Sequence, residues 1–305
     1  MFLGIEIGGT KLQLGLGRGD GHIVSLWRGT VNPSEGSEGI RKQIVSAVPE
    51  LLAKANLDRG LLRGVGIGFG GPTDDTSQTV IKSHQIEGWD GFPLADWVSD
   101  LVGVPAVLCN DADVAGLAEA LFGAGKGLSP IFYITVGTGV GGGLIIDGQI
   151  YRGVGRGAAE IGHYVLADDD EETRITVESL ASGRGIERMA EQDGRMRAAG
   201  WLTTRDVAEA AATGDPNASY ILGVATNALA SALSQVVTLL CPRRVIIGGG
   251  VSLIGEELFF APLRRHVEER VFEPFRGLTD IVPAALGEEV VVHGALALAR
   301  QKLGG

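Results

Sequence analysis

The chain has 305 residues, 45% of them apolar, enough for one large domain or two lobes with a sizeable core. A net charge of −11 argues against a nucleic-acid or anionic-membrane partner, because both select a basic face; a phosphorylated ligand is not excluded, since backbone amides hold phosphate without net positive charge. The two cysteines, Cys109 and Cys241, rule out a disulfide framework or a Cys-x-x-Cys zinc site within the chain and fit a reducing compartment.

The N-terminus enters an alternating apolar pattern directly, without a basic n-region or a small-residue cleavage site, so no secretory signal is expected. In "FLGIEIGGTKLQLGLGRGDGHIV", Ile5 and Ile7 alternate, Gly8-Gly9 interrupts, and Leu12, Leu14 and Leu16 alternate again. That predicts strand, tight glycine turn, strand. Residues 40–54 carry a helical spread of apolar side chains, with Pro49 expected to kink or split the helix. "GVGIGFGG" (64–71) reads as a buried strand ending in glycines. Leu94, Trp97, Val98 and Leu101 recur at helical spacing, and Gly103 stops that helix. "VPAVLCND" (104–111) is a strand ending in two polar residues, and Val114, Leu117, Ala118 and Leu121 form the helix that follows. "IFYITVGTGVGGGLIIDGQI" (131–150) repeats the strand–glycine–strand pattern, with Asp147-Gly148 as a further turn. Two such hairpins about 130 residues apart suggest a duplicated architecture. Beyond residue 183 the pattern is mostly helical until "RRVIIGGGV" (243–251) gives one more strand. Tyr220 to Leu240 has no charged residue over 21 positions, about the length of a membrane span. Its Asn227, Ser231, Ser234, Gln235 and many alanines favour a buried helix instead. Strands alternating with helices predict an α/β fold, and no Gly/Ser/Pro-rich linker separates independent domains.

Three apolar strands end in glycine clusters: Gly8-Gly9-Thr10-Lys11, Gly137-Thr138-Gly139 and Gly248-Gly249-Gly250. Exposed amides in such turns can make an anion-binding nest, and a Thr hydroxyl adds a donor. Hairpin turns that merely require glycine are the other reading. Gly137 to Gly142 formally matches G-x-G-x-x-G, but a second strand follows where the dinucleotide fingerprint needs a helix. No G-x-x-x-x-G-K-[ST] occurs either.

"GIEIGGTK", "CNDADVAGLAEALFGAGKG", "ITVGTGVGGGLIIDGQIY", "EIGH", "VESLASG" and "VIIGGGV" follow one another in this chain. In this order they resemble the ROK family (repressors, open reading frames and kinases), over nearly the whole chain. The resemblance implies the actin-like ATPase/sugar-kinase fold, a duplicated ribonuclease H-like α/β unit forming two lobes around a central cleft. The small lobe is expected at 1–112 plus roughly 292–305, and the large lobe at 113–291. The chain starts at the first hairpin, without room for the helix-turn-helix of the family's repressors, so a kinase is expected.

Asp111 sits just after a strand at a helix start, where ligands meet an α/β sheet. The resemblance makes it the general base that deprotonates a sugar hydroxyl; its position alone also fits a helix N-cap. Asn110 can donate and accept to sugar hydroxyls. Glu160, His163 and Glu178 resemble the family's sugar-binding set, with Gly71 and Pro72 at the other edge of that pocket. "SHQIEGW" (83–89) resembles a family segment in which Asn is usual where Gln85 stands; a sugar contact by Gln85 or His84 stays open. Gly8, Gly9, Thr10, Lys11, Gly137, Thr138 and Gly139 would cradle the phosphates of ATP, and Gly249 and Gly250 would pack near the adenosine. Glu6, where Asp is more usual, would orient water on Mg²⁺, itself inferred from phosphoryl-transfer chemistry.

Most of the family carries a zinc-binding cysteine cluster between the Glu-x-Gly-His and Glu-x-x-x-Ser-Gly motifs. Residues 164–177 here contain no cysteine. The acidic run Asp168 to Glu172 lacks calcium-loop spacing and reads as a solvated loop. No zinc is expected. The resulting expectation is a cytoplasmic, homodimeric, ATP-dependent hexose kinase acting on glucose at the 6-hydroxyl. Alternatives are a kinase for fructose, mannose or an N-acetylhexosamine, a polyphosphate-using glucokinase (which "NDADVAGLAE" and "VPAAL" also resemble), or a non-catalytic sugar sensor.

Overall fold

The structure is a computed structural model and describes residues 1–83, 85–167 and 174–304. His84 and the acidic run Asp168 to Glu172 lie outside the described residues. In chain order the strands are β1 (Phe2–Ile7), β2 (Lys11–Gly17), β3 (Ile23–Thr30), β4 (Gly64–Phe69), β5 (Thr73–Asp74), β6 (Thr79–Val80), β7 (Ala106–Asn110) and β8 (Ile131–Val136). They continue with β9 (Val140–Ile146), β10 (Gln149–Ile150), β11 (Val165–Ala167), β12 (Ile175–Thr176), β13 (Arg244–Gly248) and β14 (Asp280–Pro283). The helices are α1 (Gly36–Lys54), α2 (Leu94–Val102), α3 (Asp111–Phe122), α4 (Val177–Ala181), α5 (Gly183–Gln192), α6 (Gly194–Ala199), α7 (Thr204–Ala212), α8 (Pro216–Leu240), α9 (Ala261–Arg270) and α10 (Val290–Leu303).

The chain divides into two compact units: residues 1–127, 143–158 and 285–305, and residues 128–142 and 159–284. The first unit holds more of the chain than a boundary at residue 112 would give it. The reason is that α3 packs along α10, and both lie on β4.

In the first unit the sheet order is β3-β2-β1-β4-β7. β1 pairs antiparallel with β2 and parallel with β4, and β7 continues the parallel set. The alternation in the sequence explains the two faces. Leu3, Ile5, Ile7, Val65, Ile67 and Phe69 turn to a core shared with Ile40, Ile44 and Leu51 of α1 and Val98 of α2. Their alternate neighbours on the other face, Gly4, Gly66 and Gly68, lie against Leu296, Ala295 and Val291 of α10. "GVGIGFGG" is thus a strand with a bulky face and a bare one, the bare face admitting a helix at close range. Pro49 lies inside α1 without ending it. α2 stops at Gly103, which is left-handed at φ 78°.

The second sheet has the order β10-β9-β8-β13-β14, the same succession of hairpin and parallel strands. Asp147 and Gly148 both have positive φ, as a two-residue hairpin turn between β9 and β10 requires. β13 pairs parallel with both β8 and β14. In the second unit α4, α5, α7 and α9 pack against α8. α8 is long and apolar enough to cross a membrane, yet 61% of its most apolar stretch is buried. Its inward face is Ile221, Leu222, Ala225, Leu229, Leu233 and Val237, which is the buried amphipathic helix expected from its small and polar residues.

Candidate active site

The first unit gathers its candidate residues at the C-terminal edge of three parallel strands. Ile7, Phe69 and Asn110 are partners in register across β1, β4 and β7, so the segments that follow them emerge side by side, where ligands meet such sheets. After β1 comes the turn Gly8–Thr10, closed by the Gly8 amide donating to the Lys11 carbonyl (3.0 Å). After β4 come Gly70, whose amide donates to the Ile7 carbonyl (2.9 Å), Gly71 and Pro72, whose carbonyl accepts from the Ile81 amide (2.9 Å). After β7 comes α3, with Asp111 as its first residue.

Asn110, not Asp111, caps α3. Its Oδ1 accepts from the amides of Ala112 (2.9 Å) and Asp113 (3.4 Å), while its Nδ2 donates to the Gly71 carbonyl (3.1 Å). Asn110 therefore pins the start of α3 to the end of β4, and part of the hydrogen-bonding capacity expected for a sugar is spent inside the protein. Asp111 Oδ1 accepts from the Ala112 amide (2.8 Å). Its Oδ2 points toward the strand ends: a Cβ on Gly70 would stand 3.3 Å from it and 3.7 Å from the Gly8 Cα. A carboxylate thus lies beside the first glycine turn.

Glu6 is 4% exposed. Its Oε1 pairs with Lys11 Nζ at 2.9 Å, and its Oε2 has no hydrogen-bond partner. Burial pushes its carboxyl up to about 7, against the pull of Lys11 and with a further push from Asp111. Lys11 Nζ also donates to the Glu288 carbonyl (3.1 Å). Gln85 comes close to the same turn: a Cβ on Gly9 would stand 1.5 Å from Gln85 Oε1. The side chain that replaces the expected Asn reaches the glycine hairpin, and a larger residue at position 9 would have to displace its flexible end.

In the second unit a second hairpin, β8–β9, turns at Gly137–Gly139. The Gly137 amide donates to the Gly139 carbonyl (2.9 Å), and the Gly137 carbonyl accepts from the Gly183 amide (2.7 Å). Thr138 at its tip is exposed. Glu178, in the first turn of α4, accepts the Val140 amide on its Oε2 (2.8 Å). Thr176 and Ser179 form a capping box that fixes this short helix. Glu160 and His163 bracket a 3₁₀ turn, and both side chains are exposed. The Val177 amide donates to the Tyr164 carbonyl (3.0 Å), which joins that turn to α4. Glu160, His163 and Glu178, scattered in sequence, thus sit on two linked elements beside the hairpin. Ala159, immediately before Glu160, holds φ at 63°, a conformation that costs a non-glycine residue energy. Gly249 and Gly250 follow β13, whose last residue Gly248 pairs in register with Thr135 of β8. Gly249 is left-handed (φ 84°), and a Cβ there would meet the Val136 carbonyl at 2.5 Å; Gly250 faces open space.

Over residues 2–302 the chain matches the ROK family. The chain belongs to the ROK family. Among its relatives is a glucokinase of Thermotoga maritima, 31% identical over 99% of this chain and 98% of that one. A ROK family glucokinase of Streptomyces griseus, solved in complex with glucose and AMPPNP, is 34% identical over 98% and 99% of the two chains, with a TM-score of 0.81. A ROK hexokinase of Thermus thermophilus superposes with a TM-score of 0.85 at 27% identity, over 99% of both chains. The fold is therefore the actin-like ATPase fold of ROK sugar kinases, as the motif order implied.

For a ROK protein the first unit offers a fit to magnesium. The unpartnered, buried Oε2 of Glu6 can accept from a metal-bound water, and Asp111 supplies a second carboxylate nearby. Among the described residues no group of three or more His, Cys, Asp or Glu side chains could hold a metal directly. Sequence reasoning missed a set of buried charges around α3. Arg152 pairs with Asp75 (2.8 Å) and with Asp113, and Glu119 accepts the amides of Ala124 (2.7 Å), Ala285 and Leu286 (both 2.9 Å). The only local signal was acidic residues on the apolar face of a helix, which cannot name their partners.

Proposed function

We propose that this ROK protein is an ATP-dependent hexose kinase that phosphorylates glucose at the 6-hydroxyl. The observation that carries the reading is the alignment of Ile7, Phe69 and Asn110, which brings the Asp111 carboxylate beside the Gly8–Thr10 turn. A base and a glycine hairpin suited to phosphate meet at one sheet edge. In this reading Asp111 takes the proton from the sugar hydroxyl as it attacks the γ-phosphoryl group. By the family resemblance, Asn110, Gly71 and Pro72 of the first unit and Glu160, His163 and Glu178 of the second are each candidates for holding sugar hydroxyls. The turn Gly8, Gly9, Thr10 and Lys11 of the first unit and the turn Gly137, Thr138 and Gly139 of the second are each candidates for phosphate, and Gly249 and Gly250 would pack near the adenosine. Glu6 would orient a water on Mg²⁺; the ion, when bound, neutralises charge developing on the phosphoryl oxygens. The likeness to glucokinases supports glucose and ATP, and the family resemblance extends the proposal to a cytoplasmic homodimer.

A coupled kinase assay over glucose, fructose, mannose and N-acetylhexosamines, each with ATP and with polyphosphate, tests the reading. Glucose with ATP should give the highest kcat/KM. A folded protein that turns over no hexose with either donor would end the kinase assignment, and a preference for another sugar or for polyphosphate would end the glucokinase one.

A further inference from the structure

We propose that Arg152 is a positioning residue for the general base: its guanidinium locks the first turn of α3 and so sets where Asp111 stands. The proposal rests on the kinase reading for its catalytic consequence, but its structural half stands alone.

The geometry is that of a clamp. Arg152 Nε donates to both oxygens of Asp75 (3.0 and 3.1 Å), and Nη2 donates to Asp75 Oδ1 (2.8 Å). Nη2 also donates to the carbonyl and the hydroxyl of Thr73 (both 3.1 Å). Nη1 pairs with Asp113 Oδ2. One planar group thus ties the β5–β6 hairpin to a residue two positions after Asp111. The guanidinium uses its fixed fork on both sides, a task a flexible ammonium performs poorly.

Burial gives the clamp its stiffness. Asp113 is 1% exposed and the Arg152 side chain 11%. A carboxylate at such depth needs a partner, and Arg152 supplies the cation facing it. The Asp113 amide is itself held by the Asn110 cap (3.4 Å). Backbone and side chain of the same residue are therefore fixed from two directions, by Asn110 toward β4 and by Arg152 toward β5. Asp111 lies between these two anchors. Its carboxylate must reach a substrate hydroxyl within a few tenths of an ångström, and a displacement of about 1 Å can cost roughly 100-fold in rate.

Two variants and two readouts test the idea. Arg152→Gln removes the cation and leaves Asp113 buried without it; Arg152→Gln with Asp113→Asn removes both charges and keeps a neutral hydrogen bond feasible. Hydrogen exchange of a peptide spanning residues 107–117 reads the α3 turn without any reference to activity. We expect Arg152→Gln to speed exchange there about 10-fold or more while distant helices such as α8 are unchanged, and the double variant to restore most of the protection. In the kinase assay, run well below each variant's melting temperature, Arg152→Gln should lower kcat roughly 10- to 100-fold with the KM for ATP within about twofold, and the double variant should recover most of kcat. Unchanged exchange in residues 107–117, or exchange raised equally throughout the chain, overturns the positioning role. So does a lowered kcat that the double variant fails to recover. If the wild-type protein turns over no sugar, the kinase reading fails, and the exchange result still decides whether Arg152 sets the turn.

Discussion

Glu6 occupies the bare face of β1, between a glycine on one neighbouring strand and Gln13 on the other. Its carboxyl is raised from the ordinary 4.5 to about 7 because burial outweighs the single Lys11 contact. Below about pH 4.5 the group is protonated in both the folded and the unfolded chain. Between there and about pH 7 the folded chain keeps a proton that the unfolded chain has released. Folding stability from this group is therefore full at low pH and is lost as pH rises through 7, on the order of 3 kcal/mol in all. Glu6→Gln removes this dependence. Urea denaturation from pH 4.5 to 7.5 should show the wild type losing stability relative to the variant as pH rises; parallel curves would contradict the buried, raised carboxyl. The residue itself was legible, as a carboxylate just before a glycine turn. Its burial was not, since that depends on α10 arriving from the far end of the chain.

At the scale of elements, α10 shows why glycine placement matters more than helix propensity. Gly294 lies in the middle of α10, and a Cβ there would stand 1.8 Å from the Val114 carbonyl of α3. Gly223 lies in α8, exposed, with nothing within 4 Å of its Cβ position. Propensity alone favours alanine at both by about 1 kcal/mol. Gly223→Ala should therefore raise the melting temperature slightly, whereas Gly294→Ala should lower it, because overpacking against backbone costs about 1–3 kcal/mol or more. A melting temperature raised by Gly294→Ala would contradict the close α3–α10 contact, and one lowered by Gly223→Ala would contradict the open space at that position. Strands and helices themselves were readable from alternation and periodicity: Gly103 ends α2 and Asp147-Gly148 turns the β9–β10 hairpin as expected. Pro49 was half legible. It was read as a kink or a split, and the split does not occur: α1 runs from Gly36 to Lys54 around it, supported by buried Ile44, Ala47, Val48, Leu51 and Leu52, tertiary packing that sequence pattern does not reveal.

At the scale of the whole molecule, the repeated hairpin visible in the sequence became a repeated sheet order, β3-β2-β1-β4-β7 and β10-β9-β8-β13-β14. The duplication was legible because each copy opens with the same strand–glycine–strand pattern. The extent of the units was not, because residues 143–158 and 285–291 join the first unit through contacts with distant segments. The same limit hid Arg152, whose partners Asp113 and Asp75 lie 39 and 77 positions away. The candidate chemistry, by contrast, sits at strand ends that the sequence marks with Gly, Asn and Asp. Asp111→Asn keeps the size of the side chain and removes its basicity. Phosphorylation of glucose should fall by roughly 10²–10⁴-fold or more, while calorimetry still detects glucose binding with an affinity close to that of the wild type. Turnover that survives the substitution within a few fold would contradict the assignment of Asp111 as the base.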